Sequence, residues 1–120
     1  MERRIKSIGG IVLYADHAGT LVHWYERHLG LHFQREPGSS EWWSEFPNRT
    51  SFAIHQAKHP LGHERRQIEI TWCVDDLDAL LEGLCEMGVA ARERQETVEG
   101  DFAWLDDPEG NRVELWQRNE

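Results

Sequence analysis

A chain of 120 residues with 39% hydrophobic and 29% charged side chains suits one globular domain with a core of its own. The formal net charge of −9 argues against nucleic acid and anionic membrane partners, which require clustered lysine and arginine; Arg3, Arg4 and Lys6 are too short a basic start to reverse it. No apolar run approaches the ~18 residues of a membrane span and no apolar leader core opens the chain, so a cytoplasmic location is expected. Cys73 and Cys85 fall on a predicted strand and a predicted helix without CxxC spacing, so buried free thiols are expected rather than a disulfide.

In chain order, Ile8 to Ala15 alternates as a strand, with Ile11, Leu13 and Ala15 on one face and Gly10, Val12 and Tyr14 on the other. Asp16 is placed to cap a helix from about His17 to Leu29, whose apolar stripe is Leu21, Val22, Tyr25 and Leu29, and Gly30 suits a left-handed end. Leu31–Arg35, Glu41–Phe46 and Thr50–Gln56 read as strands between turns at Pro37–Ser40 and Pro47–Asn48. A polar linker broken by Pro60 and Gly62 covers about 58–66. Gln67–Val74 then alternates cleanly, with Glu69, Thr71 and Cys73 opposite Ile68, Ile70, Trp72 and Val74. Asp75 or Asp76 caps a helix striped by Leu77, Leu80, Leu81 and Leu84 and closed at Gly88. Val89–Arg94, Phe102–Leu105 and Arg112–Gln117 complete the strands, the last two joined by the turn Asp107-Pro108-Glu109-Gly110-Asn111.

The order β-α-β-β-β therefore occurs twice, over about 5–57 and 67–117, with closing glycines 58 residues apart. One amphipathic helix and about four strands per half predict an α+β fold, each helix covering one sheet face and the other face curving into a cup. The cup would be closed within one chain or across a homodimer.

This plan, with "HWYERHLGL", "VDDLDALLEGLCEMGV" and "FAWLDDPEGNRVELW", resembles the vicinal-oxygen-chelate superfamily of glyoxalases, bleomycin-resistance proteins, fosfomycin-resistance enzymes and extradiol dioxygenases. The resemblance covers nearly the whole chain and is thinnest from Gly38 to Arg66. It implies a divalent metal (Fe, Mn, Ni, Co or Zn) held in the cup by His and Glu from the first and last strand of each half. Matched by position, those places fall on Gly10, His55, Glu69 and Glu114. Gly10 has no donor and Glu69 stands where His is usual, which leaves His55, Glu69 and Glu114 as metal candidates.

The residues themselves leave alternatives open. Glu114 shares a strand face with Trp116, opposite Val113 and Leu115, and is either a solvated carboxylate or part of a cup wall. Glu69 could pair with an arginine such as Arg112 instead of a metal. His55 alternates with Ser51 and Ala53, and a one-residue slip would turn it outward. Two facing carboxylates with no cation would need a proton between them. Trp43, Trp104 and Trp116 are candidate substrate-binding walls, or else rings filling a core or a dimer interface. His55, His59 and His63 have helical spacing, but Pro60 and Gly62 deny them a helix, and "HERRQ" lacks the second histidine of a zinc-protease motif. Cys73 has no identifiable basic partner. Two functions from different classes remain. One is a metal-assisted lyase, isomerase or dioxygenase with Glu114 as ligand or base; the other is a metal-free protein that binds or sequesters a small organic molecule. A pure interaction module is a third and weaker alternative.

Overall fold

In the computed structural model, which describes residues 8, 10–48, 50–62 and 68–119, the first half runs β1 (Gly10–Ala15), α1 (Ala18–Leu29), β2 (Glu41–Glu45) and β3 (Ser51–Gln56). The second runs β4 (Glu69–Cys73), α2 (Leu77–Glu86), β5 (Glu93–Thr97), β6 (Gly100–Asp106) and β7 (Arg112–Arg118). The chain divides into two compact units, Met1–Leu61 and Gly62–Glu120. The first holds a sheet ordered β1-β3-β2 and the second a sheet ordered β4-β7-β6-β5. In each unit the first and last strands pair in parallel and the other pairings are antiparallel. This is an α+β fold of two βαβββ modules. Arg3, Arg4, Lys6, the start of the predicted strand at Gln67 and the "HERRQ" segment lie outside the described residues.

Both helices form because their apolar side chains recur at helical spacing and have a sheet face to cover. In α1 the buried Ala18, Leu21, Val22 and Tyr25 pack on β1 and β3, where Leu13, Ala15, Phe52 and Ile54 are buried. The Tyr25 ring meets Phe52 edge-on at 5.4 Å. In α2 the buried Leu77 and Leu84 lie against β6 and β7, with Ala103, Leu105, Val113 and Leu115 beneath. Each fully buried leucine contributes roughly 2 kcal/mol. That exceeds the ~1 kcal/mol of a good cap, so burial holds the helices and the caps decide where they begin.

The two helices begin by one device. Gln56, ending β3, accepts a hydrogen bond from Ala18 N–H at 2.9 Å, and Gln117, near the end of β7, accepts one from Leu77 N–H at 2.7 Å. A strand-borne amide thus satisfies a first-turn donor that would otherwise be orphaned. Asp76 adds its own bond to Ala79 N–H at 3.0 Å. Asp16 does not cap α1: the N-cap is His17, and the Asp16 carboxylate accepts from Leu61 N–H instead. Gly30, at φ 73°, ends α1 in the left-handed conformation its position calls for.

Two predicted strands shift. Leu31–Arg35 reduces to one bridge, Gln34 to Trp43, because Phe33 N–H is drawn to the Glu26 carboxylate at 3.2 Å and the chain turns at Pro37. The described residues therefore form seven strands rather than eight. The strand predicted from Val89 begins at Glu93, since Val89 N–H closes the end of α2 on Leu84 C=O at 2.8 Å. β5 is exposed throughout, as a charged sheet edge that resists further pairing. Arg94 fastens it to α2 through Asp78 at 2.6 Å, and that hydrogen bond, with the nearby Asp78 and Asp101 charges, raises the guanidinium pKa further.

At Gly100 φ is 133°, and a Cβ there would run into the Gln117 carbonyl oxygen. Replacing Gly100 with alanine is expected to lower unfolding free energy by about 3 kcal/mol. Replacing Gln56 or Gln117 with alanine should each cost about 1 kcal/mol. Urea unfolding measures all three, and a Gln117→Ala variant as stable as the parent would contradict the shared capping device.

Candidate functional site

The last hairpin positions the candidate carboxylate. Its turn is built around Asp107, 4% exposed, whose Oδ1 accepts from Glu109 N–H and Asn111 N–H at 2.9 Å each. Its Oδ2 accepts from the Asn111 side-chain amide at 2.8 Å. The turn pairs Leu105 with Val113 and Trp104 with Glu114. With Val113 and Leu115 buried under α2, alternation sends Glu114 and Trp116 to the opposite, open face of the sheet.

That face is arranged in rows across the strands. Thr71, Glu114, Trp104 and Glu93 form one row, and Cys73, Trp116, Phe102 and Gln95 the next. Within its row the half-buried Glu114 is held from both sides. Thr71 Oγ1 donates to Oε1 at 2.7 Å, and Trp104 Nε1 donates to Oε2 at 2.8 Å. An ionised carboxylate accepts about four hydrogen bonds. Two are supplied by the sheet, and capacity for further donors remains.

The aromatic rings form a ladder. Phe102 stacks between Trp104, at 5.8 Å and 11°, and Trp116, at 5.4 Å and 9°. Arg112 lies over Trp104 at 5.5 Å and Arg118 over Trp116 at 4.4 Å, so both ends are covered by guanidinium groups. Trp116 Nε1 is tied to Glu99 C=O at 3.1 Å. With the ring faces occupied by one another and by the guanidinium groups, the ladder presents a row of ring edges beside Glu114.

Glu69 lies on the same face, one row from Glu114, and is paired with Arg112 Nε at 2.8 Å. Arg112 also approaches Glu93 at 3.9 Å. Of the two carboxylates, Glu69 is ion-paired with an arginine and Glu114 accepts from two neutral hydrogen-bond donors. Among the described residues no three His, Cys, Asp or Glu side chains form a group that could hold a metal ion.

In the first unit His55 takes the register its alternation predicts, with Ser51 and Ala53, opposite the buried Phe52 and Ile54. Its Nδ1 lies 3.7 Å from Glu41, its strand partner, and its ring meets Tyr14 edge-on at 5.7 Å. Trp43 pairs with Ala53 and so shares the His55 face, while Trp42 points the other way under Arg35. At Gly10 a Cβ would press on the Ser51 hydroxyl, so that site has neither a donor nor clear room for one.

Thr71, Phe102 and Arg118 carry this geometry, and sequence reasoning misses them. Their signal is the i, i+2 repeat of Phe102 and Trp104 facing Trp116 across the hairpin, which is visible only once the register is known.

The sequence matches the model of the Glyoxalase-like domain family over residues 10–116. No curated protein matches it significantly. Among solved structures, a protein from the mobile metagenome of V. pseudocholerae is 23% identical, with 100% of each chain covered and a TM-score of 0.76. Lactoylglutathione lyase from Agrobacterium tumefaciens is 18% identical over 96% of each chain, TM-score 0.74. A glyoxalase/bleomycin resistance protein from Catenulispora acidiphila is 23% identical over 94% of this chain and 100% of its own, TM-score 0.71. At these identities the likeness to the solved structures establishes the fold.

Removing the Thr71 donor isolates its contribution. Thr71→Val should cost about 1 kcal/mol of stability, whereas Thr71→Ser should stay close to the parent. Denaturant unfolding of the pair checks this, and equal stability of all three proteins would mean that Thr71 does not hold Glu114.

Proposed function

Since the chain belongs to the Glyoxalase-like domain family, we propose that it binds a small organic molecule on the open face of its second sheet, oriented by Glu114 and independent of a metal. The carrying observation is the Glu114 carboxylate, fixed by Thr71 and Trp104 beside a stacked aromatic wall with acceptor capacity left over. Such a site favours a flat, weakly polar molecule with one N–H or O–H donor: the body packs along Trp104 and Trp116 and the donor meets the carboxylate. Glu69 is ion-paired with Arg112, which leaves Glu114 as the carboxylate held by neutral donors.

A metal-assisted lyase, isomerase or dioxygenase is the second reading. It is favoured by Glu69 and Glu114 sharing one sheet face and by a relative named as a lyase. It requires Arg112 to release Glu69 and a donor set other than one built on Gly10. A role for Trp43 and His55 on the face of the first sheet that they share, and a homodimer, are proposed separately; exposed Val12 and Tyr14 on the outer strand β1 support self-association.

Two measurements separate the readings. Tryptophan fluorescence titration should show benzimidazole, which carries an N–H donor, binding about tenfold more tightly than N-methylbenzimidazole, with the preference lost in Glu114→Met. Equal binding of the two, or no saturable binding of either, would overturn the assignment of Glu114. Protein purified without chelator should carry under about one-tenth equivalent of Mn, Fe, Co, Ni or Zn and show no thermal shift when each is added. Stoichiometric metal would favour the lyase, isomerase or dioxygenase.

A further inference from the structure

The Glu114 carboxylate is met on both oxygens, once each. Thr71 Oγ1 donates to Oε1 at 2.7 Å and Trp104 Nε1 donates to Oε2 at 2.8 Å. Each oxygen of an ionised carboxylate carries two lone pairs. The strands on either side of β7 therefore take one lone pair from each oxygen, and one acceptor position is left on each.

The charges nearby do not fill these positions. Arg112, the neighbour of Glu114 on the open face of β7, is bound through Nε to Glu69 at 2.8 Å, approaches Glu93 at 3.9 Å and lies over the Trp104 ring at 5.5 Å. Arg92 is held by Asp106 at 2.5 Å, and Arg118 lies over Trp116 at 4.4 Å. Among the described residues Glu114 is thus hydrogen-bonded and not ion-paired.

A ligand that covers a half-buried carboxylate displaces its water. If it brings one donor, the second oxygen loses hydration without a replacement, and an unmet charged acceptor is costly. If it brings two parallel N–H donors, both oxygens are met at once, in the bidentate geometry that makes guanidinium–carboxylate pairs strong.

We propose that the open face of the second sheet selects a flat nitrogen compound whose two parallel N–H donors sit on nitrogens sharing one carbon, an amidine or a 2-aminoazole, and that Glu114 receives both. This rests on the reading of Glu114 as the orienting acceptor and narrows its ligand from any single donor to a paired one.

The test compares 2-aminobenzimidazole with 1-methyl-2-aminobenzimidazole, titrated into ¹⁵N-labelled protein at a pH where both are neutral. The first presents two N–H donors side by side, and the methyl group leaves the second with a donor beside an acceptor. The first should bind about tenfold more tightly, with saturable shifts at the Thr71 and Glu114 amides and at Trp104 Nε1–H. At a pH where both are protonated the methylated compound gains the paired donors, and the difference should vanish. Glu114→Gln should invert the preference between the neutral compounds. The Trp104 indole can only donate, so the amide oxygen must face it and the amide nitrogen must face the Thr71 hydroxyl, which leaves one acceptor and one donor for the ligand.

Equal affinities of the neutral pair in the parent protein, an unchanged preference in Glu114→Gln, shifts elsewhere, or an absence of saturation would overturn the proposal. The two claims on Glu114 can fail apart. Benzimidazole preferred over N-methylbenzimidazole, with the neutral aminobenzimidazoles alike, would remove the paired donor and leave the single-donor reading. An inverted preference in Glu114→Gln, with benzimidazole binding indifferent to methylation, would support the paired donor and remove the single one.

Discussion

The buried Asp107 carboxylate is the constraint on which the second unit depends. Three hydrogen bonds from Glu109 and Asn111 close the turn around it, and the turn sets β7 against β6. A carboxylate with almost no exposure is costly unless its lone pairs are met. Here they are met from within the turn, so the turn has one low-energy form. A register slip of one residue would send Val113 and Leu115 out from under α2 and bring Glu114 into the core. The hairpin register and the direction of Glu114 are therefore decided together.

On the open face the register leaves only local chemistry to be settled. With Glu114 beside Thr71 on one strand and Trp104 on the other, its two oxygens meet a hydroxyl and an indole, and the carboxylate is fixed without an arginine. Arg112 is occupied one row away with Glu69. Among the described residues the face keeps one acidic group that is hydrogen-bonded and not ion-paired, next to rings that brace one another.

The repeat is legible in the sequence because its signals are short-range: Leu21, Val22 and Tyr25 at helical spacing, Leu77 and Leu84 likewise, and glycines after both helices. The faces of Glu114, Glu69 and His55 are legible from strand alternation. The capping glutamines are not, since Gln56 and Gln117 reach helix starts some forty residues earlier in the chain and nothing local marks them. The loss of the strand at Leu31–Arg35 is hidden for a similar reason, because its apolar pattern is sound and the competitor is the side chain of Glu26 on the preceding helix. The sequence leaves the Arg112–Glu69 pair as one alternative, and parallel pairing of β4 with β7 places the two side chains in contact. Long-range partners decide all of these, and a single sequence displays them only through topology.

Glu114 is held as an acceptor by its strand neighbours, and the function proposed for the open face stands on that arrangement. The most direct measurement of it is the indole region of the ¹H–¹⁵N spectrum. The Trp104 Nε1–H resonance should lie downfield and exchange slowly, move upfield in Glu114→Met, and stay in place in Glu69→Gln. A Trp104 resonance indifferent to the loss of the Glu114 carboxylate would contradict this arrangement.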